Sequence, residues 1–283
     1  MSGPSGVPPE GRAPAWCLID VVVFLDRRAG SARAVEWAAS LAREQDAGLT
    51  GVLVEPPLTS SPAAPSADGD AVREAEPRAC FEAAVLRHRI IRWEWREVRG
   101  CAAPQLAVHG RGGDLTVMAG EDPSEPADAL RGLREFLMAA SNRPTAILPS
   151  GALAQSRRRI LLAWSDGAGA TRAVAGAMPL LLRADAVEVL QIAERESSPP
   201  LGSERAADVA ELLARDGARV DLRTLTASRQ DAGGTLLSRA TALGADLIVM
   251  GVQGHSRRTQ SGWLGDLAGA VLATAAVPVL ICR

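Results

Sequence analysis

Short apolar runs alternate with longer amphipathic stretches along this chain, and the alternation occurs twice in the same order. Near the start stands DVVVFLDRRAGSARAVEWAASLAREQDAGLTGVLV (Asp20 to Val54), and past the middle stands RILLAWSDGAGATRAVAGAMPLLLRADAVEVLQI (Arg159 to Ile192). Each predicts a strand, a polar turn, an amphipathic helix and a second strand. Late in each half an acidic residue leads an apolar strand, Asp114-LTVMAG and Asp246-LIVMGV, and a proline leads the last one, Pro144-TAILP and Pro278-VLIC. Each half therefore reads as a βαβα unit ending in a strand. The expected division is a disordered leader over 1–14, a first domain over 15–150, a linker over 151–158 and a second domain over 159–283.

The first strand is expected over 17–25, where near-continuous apolar residues suit a parallel strand covered on both faces. Ser31 is placed as the cap of the next helix, whose Ala34, Trp37, Ala38 and Leu41 share one stripe. Positions 56–70 read as a mobile loop and 71–89 as a helix. In the strand IRWEWREV, Ile91, Trp93 and Trp95 alternate with Arg92, Glu94 and Arg96, which predicts one covered face and one wetter one. Trp93 and Trp95 are expected to cover the sheet. In the second half a helix is expected over 204–217 and a strand over 218–225. Alternating strands and helices predict α/β architecture with a parallel, doubly wound sheet and ligands at the C-terminal strand ends.

Length and composition narrow the function. The 283 residues give two halves of ordinary domain size, and a formal net charge of -2 argues against a nucleic-acid partner. All 31 basic residues are arginines, so Schiff-base and phosphate-lysine chemistry are excluded. Cys17, Cys80, Cys101 and Cys282 lack C-x-x-C spacing and read as incidental thiols. No apolar run is long enough for a membrane span, and the leader lacks a signal peptide's apolar core, so a cytoplasmic location is expected. No nucleophile elbow, Walker lysine or paired-histidine motif is present, which lowers the expectation of an enzyme.

The closing segment carries the most specific chemistry. It runs GADLIVMGVQGHSRRTQSGWLGDLAGAVLATAAVPVLICR from Gly244, an apolar strand opening into a glycine-spaced loop and then a helix. Glycine allows close backbone approach to phosphate oxygens, and a helix N-terminus favours negative charge.

With the tandem layout, strands ending LD-x-x-x-x-S or AW-x-x-G, and the closing VMG-x-x-GHSR…GW-LG-D…VPVLI, the chain resembles the two-domain bacterial form of the universal stress protein (UspA-like) family. That resemblance implies two flavodoxin-like, HUP-type (Rossmann-like) domains, each with five mostly parallel strands. It also implies a stress-response regulatory role, with ATP or another adenine nucleotide bound in some members. There, an aspartate ending the first strand meets base or ribose, and a G-x-x-G-(nine residues)-G-(Ser/Thr) loop holds the phosphates.

The match is partial in each half. Gly251, Gly254 and Gly265 fit the three glycines, but ten residues separate the last two and Asp266 replaces the hydroxyl. Asp266 can cap the helix itself, and it repels polyphosphate unless Mg²⁺ bridges the charges. The family aspartate falls on Ser165, with Asp166 adjacent. The candidate set is Ala163, Ser165, Asp166 and Ile192 beside base and ribose, Gly251, Gly254 and Gly265 on the phosphates, and His255, Arg257 and Asp266 near the charge. Gly251 and Gly254 also fit a plain strand-to-helix turn, and His255 a loop hydrogen bond. In the first half Asp26 stands at the right position, but the late loop has Gly120 without the second glycine and adds Glu121, Asp122, Glu125 and Asp128. Asp26 is thus a vestige or a turn cap, in a half not expected to bind polyphosphate. The functional alternatives are a nucleotide-binding regulatory module, a structural or interaction scaffold paired through TAILP and PVLIC, and a slow ATPase. Partners would be a nucleotide or a regulatory protein, with further homodimerisation left open.

Overall fold

The computed structural model describes residues 16–27, 29–55, 76–100, 102–120, 143–151, 158–165, 167–194, 203–228, 230–252 and 265–282. The leader, the loop over 56–70 and most of the linker lie outside these residues. The first half contains β1 (Asp20–Leu25), α1 (Ala29–Gln45), β2 (Gly48–Glu55), α2 (Pro77–His88), β3 (Trp93–Arg99), α3 (Ala102–Gly110), β4 (Leu115–Ala119) and β5 (Thr145–Leu148). The second contains β6 (Arg159–Trp164), α4 (Ala168–Leu181), β7 (Ala186–Glu194), α5 (Ser203–Arg215), β8 (Val220–Ala227), α6 (Ala232–Leu243), β9 (Leu247–Gly251), α7 (Gly265–Thr274) and β10 (Val279–Cys282).

All ten strands form one sheet in the order β3-β2-β1-β4-β5-β10-β9-β6-β7-β8. Within each half every pairing is parallel, as the continuous apolar strands predict. The halves meet where β5 and β10 pair antiparallel, with Val279 opposite Ile147 and Ile281 opposite Thr145. The expected edge pairing of TAILP with PVLIC is therefore present within one chain.

Two apolar layers cover the sheet, and both cross that seam. One joins Val21, Val23, Trp37 and Leu148 to Leu162, Ala177 and Leu280. The other joins Val22, Phe24 and Ile147 to Leu161, Ile248 and Val279. Polar contacts add to them: the Gln45 side chain donates to the Pro179 carbonyl (3.4 Å), and Arg183 Nη1 to the Glu44 carbonyl (2.9 Å).

Several boundaries differ from the pattern. β1 begins at Asp20, not 17, because Cys17 and Ile19 are exposed and precede the first ladder pair. Ser31 lies inside α1, not at its cap. Ile91 precedes β3 and is 86% exposed, whereas Trp93 and Trp95 pack on Phe81 of α2, with ring centroids 6.0 and 5.3 Å away. Trp95 is half-buried as expected, whereas Trp93 remains 46% exposed and Ile91 lies outside the strand. α3 and α6 were missed by the apolar pattern, since proline in one and paired glycines in the other dilute the helical signal.

Candidate functional site

The repeat allows the two strand-to-helix turns to be matched residue by residue: β1 starts at 20 and β6 at 159, an offset of 139. Asp26 therefore corresponds to Ser165, Gly30 to Gly169 and Ser31 to Ala170. In the first half the turn is closed by its own side chains. The Ser31 hydroxyl donates to Asp26 Oδ1 (2.7 Å) and accepts from the Asp26 backbone N–H (2.9 Å). Asp26 is thereby engaged within the turn.

The second half lacks both members of that lock. Among the described residues, the 14-residue α4 starts from Gly167 with no side-chain cap hydrogen bond and no acid in its first turn. Ser165 is exposed and Ala163 is half-buried. Trp164 between them is buried, with its indole Nε1 unpartnered. Ile192 lies half-buried on β7, packed on the apolar layer beneath α6 and α7. Asp166, Gly254, His255 and Arg257 fall outside the described residues, and Asp266 is described only as the second residue of α7.

Gly251 ends β9 against the first turn of α4. A Cβ there would overlap the backbone of Gly169 and Ala170, and a Cβ on Gly169 would overlap the Val252 carbonyl. Two glycines thus let helix and strand approach backbone to backbone, bringing the uncapped end of α4 to the C-terminal end of β9. Close packing alone accounts for glycine at 251. In the first half the matched pair is Gly30 and Ala119, so that approach is wider by a methyl group.

The repeated acids preceding β4 and β9 do different work at the opposite end of the sheet. Asp114 Oδ2 accepts from the backbone N–H groups of Ile19 (2.8 Å) and Asp20 (3.1 Å). Asp246 accepts from those of Arg158 (3.1 Å) and Arg159 (3.0 Å). Each ties the start of one central strand to its neighbour, satisfying donors that precede the ladder.

Burial holds two of the thiols in the protonated form. Cys282 is buried at the seam, where desolvation pushes it up to about 12, and burial also raises Cys80. Cys17 is exposed and Cys101 lies outside the described residues. Among the described residues no group of three His, Cys, Asp or Glu side chains can hold a metal, and no helix is long and apolar enough to cross a membrane.

The fold and turns define a class: a doubly wound α/β protein of two repeated halves sharing one sheet, with one strand-end turn closed and one open. Residues 156–283 match the universal stress protein family. Similar solved structures share the fold over nearly the whole chain. A universal stress protein from Archaeoglobus fulgidus DSM 4304 is 17% identical, covering 93% of this chain and 96% of that chain with a TM-score of 0.71. A functionally unknown protein from Pseudomonas aeruginosa PAO1 is 16% identical, with coverages of 94% and 92% and a TM-score of 0.63. A putative universal stress protein from Pseudomonas aeruginosa UCBPP-PA14 is 17% identical, with coverages of 94% and 93% and a TM-score of 0.59. No curated protein matches the chain.

Proposed function

We propose that this chain is a regulatory universal stress protein whose second half binds an adenine nucleotide with Mg²⁺, and which performs no catalysis of its own. The observation carrying this reading is the uncapped N-terminus of α4 beside the C-terminal ends of β6 and β9. The N–H groups of a helix N-terminus and the helix dipole favour an anion there. The site combines Ala163, Ser165, Asp166 and Ile192 beside base and ribose with Gly251, Gly254 and Gly265 near phosphate. His255 or Arg257 supplies charge, and Asp266 either holds Mg²⁺ or opposes the phosphates. The first half, with Asp26 engaged by Ser31, serves as a structural partner within an intramolecular pseudo-dimer.

Freshly purified protein is denatured and the supernatant chromatographed for adenine nucleotide, followed by calorimetric titration with Mg·ATP. About one nucleotide per chain is expected, and Gly254→Val abolishes it without unfolding the protein. Absence of binding at millimolar ligand would leave a scaffold, the reading favoured by the continuous sheet and shared core. Asp266→Ser is expected to strengthen ATP binding; weaker binding assigns Asp266 to the metal.

A further inference from the structure

Away from the strand ends, the outer flank of α6 leaves part of the β8 edge uncovered. The groove there has a volume of about 640 Å³ and is lined by Leu225 of β8 and by Asp231, Thr235, Ser238, Arg239 and Ala242 of α6. The groove is shallow and open to solvent. Behind the lining residue Arg239 lies a buried carboxylate, Glu188 of β7, 4% exposed. Arg239 grips it in bidentate fashion, Nε donating to Oε1 at 2.6 Å and Nη2 to Oε2. Arg223 of β8 approaches Glu188 Oε2 with its Nε at 3.5 Å.

This arrangement is not a requirement of the fold. Matching β2 to β7 by their pairings with β1 and β6 puts Thr50 where Glu188 stands. Counting back from the matched Asp114 and Asp246 puts buried Ala107 where Arg239 stands. The first half builds the same layer without the ion pair. A buried pair is at best a weak source of stability relative to apolar residues of similar size. What it does provide is orientation. The grip uses Nε and Nη2 of Arg239 and leaves the Nη1 edge, with two N–H donors, out of those bonds. Glu188 raises the Arg239 pKa, chiefly through the hydrogen bonds, so the cation persists at all working pH. Two guanidinium groups share the Glu188 carboxylate, and of these Arg239 lines the groove. Eight residues N-terminal along α6, about 12 Å at the helical rise, Asp231 supplies an acceptor, its Oδ2 already receiving the Ser228 hydroxyl (2.5 Å).

From this geometry we infer that the groove between α6 and β8 is a second ligand site, distinct from the strand-end turn. It takes a small organic carboxylate or phosphate ester that places its oxyanion on Arg239 and hydrogen-bond donors toward Asp231. A fixed planar guanidinium edge suits an oxyanion, and Thr235 and Ser238 add hydroxyls along the path.

The test follows the arginine Nε–H resonances of the full chain by NMR while inorganic phosphate, and separately succinate, is added. The Arg239 signal should shift saturably with a Kd on the order of 1 mM. Gly234→Leu fills the groove, because a Cβ at Gly234 meets nothing within 4 Å. It leaves the ion pair in place and should weaken binding by at least about tenfold. Arg239→Lys, which keeps the charge but loses the planar edge, should do the same if it folds. Gly254→Val should leave the response intact, which separates this site from the proposed nucleotide site. No saturable shift, equal shifts at arginines across the surface, or an unchanged response in Gly234→Leu would overturn the assignment.

Discussion

The two strand-to-helix turns share a backbone plan and differ in who satisfies it. In the first half Asp26 and Ser31 satisfy each other, so the acid expected at a ligand site belongs to the turn itself. In the second, Ser165 and Ala170 occupy those positions, and α4 begins at a bare Gly167. Possession of an acid at the strand end is therefore a poor marker of the open half. What counts is whether a neighbouring hydroxyl has already engaged it.

The most disruptive way to break the comparison is at the glycine pair. Gly251→Val should overpack β9 against α4 and cost more than about 2 kcal/mol, read as a lowered urea midpoint. Ala119→Gly, the matched change in the first half, should cost under about 1 kcal/mol. A mild Gly251→Val would mean that α4 yields easily and that the glycine serves a ligand instead.

Next in size is Glu188→Thr, which gives the second half the residue of the first. It leaves Arg239 partly buried without its partner and should cost roughly 3 kcal/mol. Adding Arg239→Ala, the first half's other residue, should recover most of that loss if the pair serves orientation rather than stability. The check is a double-mutant cycle in urea.

Asp26→Ala removes the acceptor of the Ser31 hydroxyl and should cost about 1 kcal/mol while leaving nucleotide binding untouched. A loss of nucleotide binding would reverse the assignment of roles to the halves.

The smallest expected effect is pH-linked. His109 of α3 lies 3.3 Å from Arg96 Nη1, and desolvation, with the Arg96 charge, holds its pKa below the ordinary value of 6.5. The folded state disfavours the protonated ring, so stability falls as pH drops below 6.5 toward the folded value and stays level above it. His109→Gln should flatten this slope; Thr241 stands at the matched position of the second half.

Apolar periodicity made most strands visible in the sequence, because a buried parallel strand carries an unbroken apolar run. Trp37 and Leu41 were identifiable as core from the apolar stripe of α1. α3 and α6 were not, since Pro104 and the Gly233-Gly234 pair weaken the local signal and packing on the sheet supplies the stability. Glu188 between Val187 and Val189 was available as a signal, but only its partner on α6 gives it meaning.

By itself, then, the sequence determined the repeat, the parallel strands and the glycine spacing of the closing segment, because these depend on local pattern, while the edge pairing of TAILP with PVLIC was implied only by the family resemblance. The tertiary structure alone decided that Asp26 is engaged by Ser31, that Gly251 is required by the approach of Gly169, that Asp114 and Asp246 hold strand starts, and that Arg239 meets Glu188. Each of these depends on which atoms come within hydrogen-bond or contact distance across elements, and residue identity along the chain does not encode that distance.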